Sequence, residues 1–187
     1  GDGLAKIPNF LPEKVADGAL AMIESYKDEV WNETSADRDP STNNIVHKFW
    51  STKQAPGLQD LVRAMSVLMP GRLHTFSAGK YVRTNHIEPH DDRAYADVVM
   101  EDGKVVQCSR DVAVIWYLTK DWQESYGGVL IDCETGDNHV PEFNTLVAFR
   151  IPRYHQVTAV AIDRPRYSVF GWFLLPGIHY DLFSAKG

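Results

Sequence analysis

Residues 89–95 read PHDDRAY and set one imidazole, His90, beside two carboxylates, Asp91 and Asp92. In an extended strand, residues two apart point to the same face, so His90 and Asp92 would present a nitrogen and an oxygen to one cavity while Asp91 points away. A solvated acidic turn has the same composition, and a metal ion needs a third ligand. His155, at the head of the β-rich run HQVTAVAI, is the candidate, with a satisfied histidine at a core rim as its other reading. Two histidines and a carboxylate form the facial set that leaves three open positions on a non-haem iron(II) ion. A bidentate cosubstrate can take two of these and dioxygen the third.

In RYSVFGWF, strand alternation puts Arg166, Ser168, Phe170 and Trp172 on one face, and Tyr167, Val169, Gly171 and Phe173 on the other. Burying an arginine in a β-rich core is costly unless an anion meets it, and a planar guanidinium suits a carboxylate through two parallel hydrogen bonds. A dicarboxylate cosubstrate would be that anion. Arg164 has the same parity as Arg166 but precedes Pro165 in DRPR, so it ranks second and reads as part of a solvated turn.

Two kinds of element must position these groups. After Pro12, Val15, Ala19, Met22, Ile23 and Tyr26 recur at helical spacing, and Leu58, Leu61, Val62, Met65 and Leu68 do so until Pro70 and Gly71 stop them. Between these helices ETSADRDPSTNNIVHKFW reads as a loop with a short edge strand near Ile45 to Trp50. From Arg72 onward the chain changes to short β-rich runs separated by Gly, Pro and Asp: RLHTFSA, GKYVR, DVAVIWYL, GGVLIDC, NTLVAFRI, YHQVTAVAI and RYSVFGWFLL. The expectation is a mainly β protein, an antiparallel sandwich or jelly roll with helices packed on one sheet. A single domain over 1–187 is expected, helical to about residue 70, with its β core over about 71–178.

At 187 residues with 44% hydrophobic content the chain can bury one sizeable core. Its 19 basic and 25 acidic residues give a formal charge of −6, without a basic run interleaved with aromatics, so nucleic acid is not an expected partner. No apolar run is long enough to span a bilayer as a helix, and a membrane partner is not expected. Cys108 and Cys133 lack the C-x-x-C spacing and read as free thiols in a reducing compartment. With no secretory pattern in GDGLAKIPNF, a cytoplasmic location is the expectation.

From about Phe76 to Pro176 the chain resembles the iron(II) and 2-oxoglutarate dependent dioxygenases, in their prolyl 4-hydroxylase-like branch. The resemblance runs through FSAGKYV, PHDD, RDVAVIWYLTKDWQESYGGVL, NTLVAFRI, HQVTAV and RYSVFGWFL. It implies a double-stranded β-helix with iron(II) as cofactor and 2-oxoglutarate and dioxygen as cosubstrates. The implied iron ligands are His90, Asp92 and His155. Arg166 with Ser168 would meet the distal carboxylate of 2-oxoglutarate, and Tyr117 in IWYL matches a tyrosine that contacts the cosubstrate. A core-filling aromatic is the other reading of Tyr117. Gly127 and Gly128 match a tight turn, and the Asp92 carboxylate marks hydroxylation rather than halogenation.

Two departures stand out. Phe76 occupies a place where several relatives carry a tyrosine, and RTNHIEP lengthens the approach to the metal pair, which makes His86 with Glu88 a competing H-x-E pair. The implied reaction is hydroxylation, of a peptidyl proline first and of a free amino acid or other small molecule second. The stretches 93–110 and 34–53 are the expected substrate-facing lids, with Trp50 either an aromatic anchor or a core-edge residue. The competing classes are a zinc hydrolase, which leaves Arg166 and Ser168 unexplained, and a non-catalytic jelly-roll binding module, which requires His155 and Arg166 to be unrelated core or rim residues.

Overall fold

In the computed structural model, residues 3–38 and 45–182 are described. The strands are β1 (Ala5–Ile7), β2 (Asn32–Ala36), β3 (His47–Thr52), β4 (Leu73–Tyr81), β5 (His86–His90) and β6 (Tyr95–Val99). They continue with β7 (Val105–Tyr117), β8 (Leu130–Asp132), β9 (Asn138–His139), β10 (Thr145–Arg150), β11 (His155–Val157) and β12 (Arg166–Pro176). Two α-helices, α1 (Glu13–Glu24) and α2 (Leu58–Ser66), precede β4. All pairings are antiparallel, and the strands follow the order β1-β10-β7-β12-β4-β3-β5-β11-β8-β9, with β2 on β3 and β6 on β7. This antiparallel sheet curls into a jelly roll, with β3 pairing β4 through Trp50–Thr52 and β5 through His47 and Lys48.

Each central strand serves two cores, because alternation buries both of its faces. One set, Phe76, Ala78, Val114, Trp116, Leu146, Val169 and Phe173, packs against α1 and α2. The opposite set, Tyr81, Ala113, Tyr117, Val147 and Phe149, meets Leu130 and Val157 inside the roll. The inner layer is where the site forms.

Several elements differ from expectation. The buried stripe of α1 is Ala16, Ala19, Leu20 and Ile23, while Val15 is exposed. The polar NETSA, expected as loop, forms β2 because it hydrogen-bonds alongside β3 rather than burying side chains. Thus β1, β2 and β3 belong to the stretch expected to be helical. Most of RLHTFSA and GKYVR forms one continuous strand, β4, over Leu73–Tyr81. Within 93–110, β6 and the start of β7 form a hairpin whose turn lies at 100–104. The second expected lid, 34–53, contributes to β2 and β3; its middle, 39–44, lies outside the described residues. Trp50 packs half-buried against the helix-side core, a core-edge position.

Candidate metal centre and anion pocket

His90 ends β5 and His155 begins β11, and the two are direct partners in the antiparallel ladder. Their rings lie 4.2 Å apart between centroids. Each Nδ1 faces a main-chain carbonyl, Glu88 O at 2.8 Å for His90 and Arg153 O at 2.7 Å for His155. A carbonyl only accepts, so Nδ1–H donates and each Nε2 faces the cavity, where it bonds Asp92 when protonated and offers a lone pair when neutral.

Asp92 reaches the same point by a different route from the one that strand alternation suggests. β5 has already ended, and Asp92 adopts a left-handed backbone with φ of 63°. Asp91 turns aside to accept from the Arg93 backbone N–H at 3.1 Å and from Arg93 Nε at 2.9 Å. Asp92 Oδ1 then lies 3.1 Å from His90 Nε2, and Oδ2 lies 3.5 Å from His155 Nε2. The three buried ligand atoms fall within 4.8 Å of one another, the one such cluster among the described residues.

Charge is balanced within this cluster. Burial by itself pushes the Asp92 carboxyl up, but the His90 hydrogen bond and the charges of His155, His90 and Arg110 hold it well below the carboxylate range. Burial pulls both imidazoles down; in His90 the hydrogen bond and charge of Asp92 outweigh it, and in His155 they do not. Two imidazole nitrogens and an ionised carboxylate suit a divalent first-row metal.

Across the cavity, β12 supplies Arg166 and Ser168, both nearly fully buried. Arg166 pairs in register with Tyr81 of β4, and Ser168 lies between Gly79 of β4 and Tyr117 of β7. The guanidinium carbon lies 4.2 Å from the Tyr81 ring centroid and 5.3 Å from that of Tyr117. Arg166 Nε is buried without a hydrogen-bond partner, and no carboxylate of the described residues pairs with this side chain. Such a charge is costly unless an anion arrives. Burial raises the pKa of both tyrosines, so their hydroxyls stay neutral donors. Gly128, at φ of 63°, leaves room for the arginine: a Cβ there would lie 2.9 Å from Arg166 Nε.

His90, Asp92, His155, Arg166, Ser168 and Tyr117 line one cavity. The competing pair does not join it. His86 turns to the Thr84 carbonyl at 3.0 Å, and Glu88 is paired with Arg38. A register shift between β5 and β11 puts Ile87, not Glu88, beside His90 in the wall. Arg164 is held by the carbonyls of Lys120 and Asp121, outside the cavity. Phe76 packs on the helix side against Phe173, while Tyr81 fills the cavity face of β4. The phenol that Phe76 left missing is therefore present at Tyr81. Parity was the available signal: 76 and 81 differ by an odd number and face opposite sides of one strand. Trp172 was placed on the correct face, but its bond to Asp92 was not anticipated, and nothing in the sequence pointed to Arg110.

Residues 76–174 match the family described as the 2OG-Fe(II) oxygenase superfamily. The chain belongs to that superfamily. It is accordingly a hydroxylating oxidoreductase that uses iron(II), 2-oxoglutarate and dioxygen. Among solved structures, a Pseudomonas putida prolyl-4-hydroxylase is similar at a TM-score of 0.60 and 22% identity, over 92% of each chain. A Trichoplax adhaerens prolyl hydroxylase, solved with a hypoxia inducible factor oxygen degradation domain peptide fragment, is similar at 0.64 and 20% identity. There the match covers 92% of this chain and 83% of that one. HygX from Streptomyces hygroscopicus, solved with nickel and 2-oxoglutarate, matches at 0.58 and 11% identity over 92% and 83% of the two chains. At these identities the structural likeness is one of fold.

Proposed function

We propose that this oxygenase hydroxylates a prolyl residue of a peptide or protein, with His90, Asp92 and His155 holding iron(II). Arg166 receives the distal carboxylate of 2-oxoglutarate, assisted by Ser168 and by the phenols of Tyr81 and Tyr117. The observation that carries the cosubstrate assignment is the buried, unanswered guanidinium of Arg166, on the same cavity as a two-histidine, one-carboxylate cluster. When bound, the iron supplies the oxygen-activating chemistry, coupled to oxidative decarboxylation of 2-oxoglutarate to succinate and carbon dioxide. The protein's residues orient the cosubstrate from its far end and keep the histidines in the ligating tautomer. The apolar walls Ile87, Ala113, Leu130 and Val157 keep bulk water away from the reacting centre.

The zinc-hydrolase and binding-module readings give no task to Arg166. The peptidyl-proline assignment draws on two similar structures, the Pseudomonas putida and Trichoplax adhaerens hydroxylases. Succinate release, with mass spectrometry of a panel of proline-containing peptides and free amino acids, tests it. A gain of one oxygen on a peptidyl proline is expected. Turnover confined to a free amino acid would assign the small-molecule reading instead.

A further inference from the structure

Strand alternation in β7 puts Ala113, Ile115 and Tyr117 on the cavity face. Continued without interruption it would turn Arg110 away. Instead β7 pairs Val112 with Phe173 and next Arg110 with Leu174, so Asp111 is an extra residue. A one-residue bulge reverses the facing of the strand beyond it. Asp111 accepts from Arg72 Nη2 at 2.7 Å, and Arg110 comes round to the side of the metal cluster.

There the Arg110 guanidinium lies over the Trp172 indole, with Cζ 3.5 Å from the ring centroid. Its Nη1 is 4.0 Å from Asp92 Oδ1 and 3.5 Å from the Asp92 carbonyl oxygen. Trp172 Nε1–H donates to Asp92 Oδ2 at 3.1 Å. The hydroxyl of Tyr180, 2.9 Å from the Arg110 carbonyl, fixes the strand that carries the guanidinium.

We infer that Trp172 and Arg110 are positioning residues that hold the Asp92 carboxylate in one orientation, so that it offers a metal one oxygen. The inference rests on the assignment of Asp92 as a ligand made above. A carboxylate turns easily about its terminal bond, and the backbone of a left-handed residue does not fix it. The indole N–H engages Oδ2, and the guanidinium stacked on the indole keeps that ring in place. A carboxylate free to chelate through both oxygens would occupy a position that the cosubstrate or dioxygen needs.

Cobalt(II) titration followed by visible absorption tests this on the wild type, Trp172→Phe, Arg110→Met and His155→Ala, with each metal-free fold checked by circular dichroism. Trp172→Phe keeps an aromatic ring without the N–H donor; it should bind cobalt about 10–100-fold more weakly, as losses of supporting hydrogen bonds around metal ligands do. Its d–d spectrum should change as the second oxygen is released. Arg110→Met should shift both in the same direction by less, and it carries the test if Trp172→Phe does not fold. Wild-type affinity and spectrum in folded variants overturn the proposal, as does weaker binding with an unchanged spectrum, the signature of a merely structural role. If the wild type takes up no cobalt, or His155→Ala binds it as the wild type does, the ligand assignment itself fails and this proposal with it.

Discussion

Arg166 is a full charge buried among phenol rings, and its cost is met only when an anion enters. Arg166→Lys keeps the charge but not the two-point fork. Charge-assisted hydrogen bonds contribute about 1.5–3 kcal/mol each, so losing one raises the KM for 2-oxoglutarate about 10–150-fold. Steady-state kinetics should show that rise with a smaller change in kcat; an unchanged KM would remove Arg166 from the cosubstrate site. Asp92→Ala should abolish hydroxylation and cut metal affinity, whereas His86→Ala should leave metal affinity intact; the reverse pattern in a metal titration would move the site to the His86 pair. At this scale the sequence was most informative about Arg166 and Ser168, which parity within a strand defines, whereas Tyr117 was reached through the family resemblance alone. The sequence did not point to Tyr81 and was silent at Arg110. Tyr81 follows from alternation along β4, which puts 76 and 81 on opposite faces, and Arg110 depends on a bulge that leaves no local sequence mark.

Among the elements, β8 and the turn before β11 are tied by a buried ion pair that positions His155 from behind. Arg153 Nη2 lies 2.5 Å from Asp132 Oδ2, and Nε donates to the same oxygen at 3.0 Å. The Arg153 carbonyl in turn accepts from His155 Nδ1. Burial alone pushes the Asp132 carboxyl up, but the Arg153 hydrogen bond and the Glu134 backbone N–H hold it below its ordinary value. A depressed carboxyl adds stability that is complete above the unfolded value of about 4 and is lost as pH falls through the folded one. Removing one partner of a buried pair costs about 3–5 kcal/mol; with Glu134 still 3.3 Å from Arg153 Nη1, Asp132→Asn should fall near the low end, at about 3 kcal/mol. Thermal melts of both proteins should differ widely at neutral pH and converge on acidification. A gap that does not depend on pH would show that the carboxylate charge is not what holds the turn. The long apolar strands β7, β10 and β12 were legible because both faces are buried. Strands β2, β5 and β6 were not, since they are held mainly by main-chain pairing to neighbours far off in sequence.

Across the whole molecule, the site closes the jelly roll. Its nitrogen ligands stand on β5 and β11 of the short-stranded side, and its anion pocket stands on β4, β7 and β12 of the broad side. A metal and a dicarboxylate bound together therefore bridge the two layers, and any ligand that binds only the folded chain stabilises it by mass action. At a free concentration one hundred times its dissociation constant the gain is about 2.7 kcal/mol. For a chain of this length that corresponds to a rise in Tm of about 5–10 °C. Anaerobic melts should show one increment with iron(II) and a second when 2-oxoglutarate is added. Arg166→Lys should keep the first and lose most of the second at the same cosubstrate concentration, because its weakened carboxylate contact lowers the ratio of ligand to dissociation constant. Asp92→Ala should lose both, because Asp92 would help hold the metal and the bound metal would help hold the cosubstrate. A full 2-oxoglutarate increment without iron(II) would mean that the anion pocket works alone and that the two halves of the cavity are not one site.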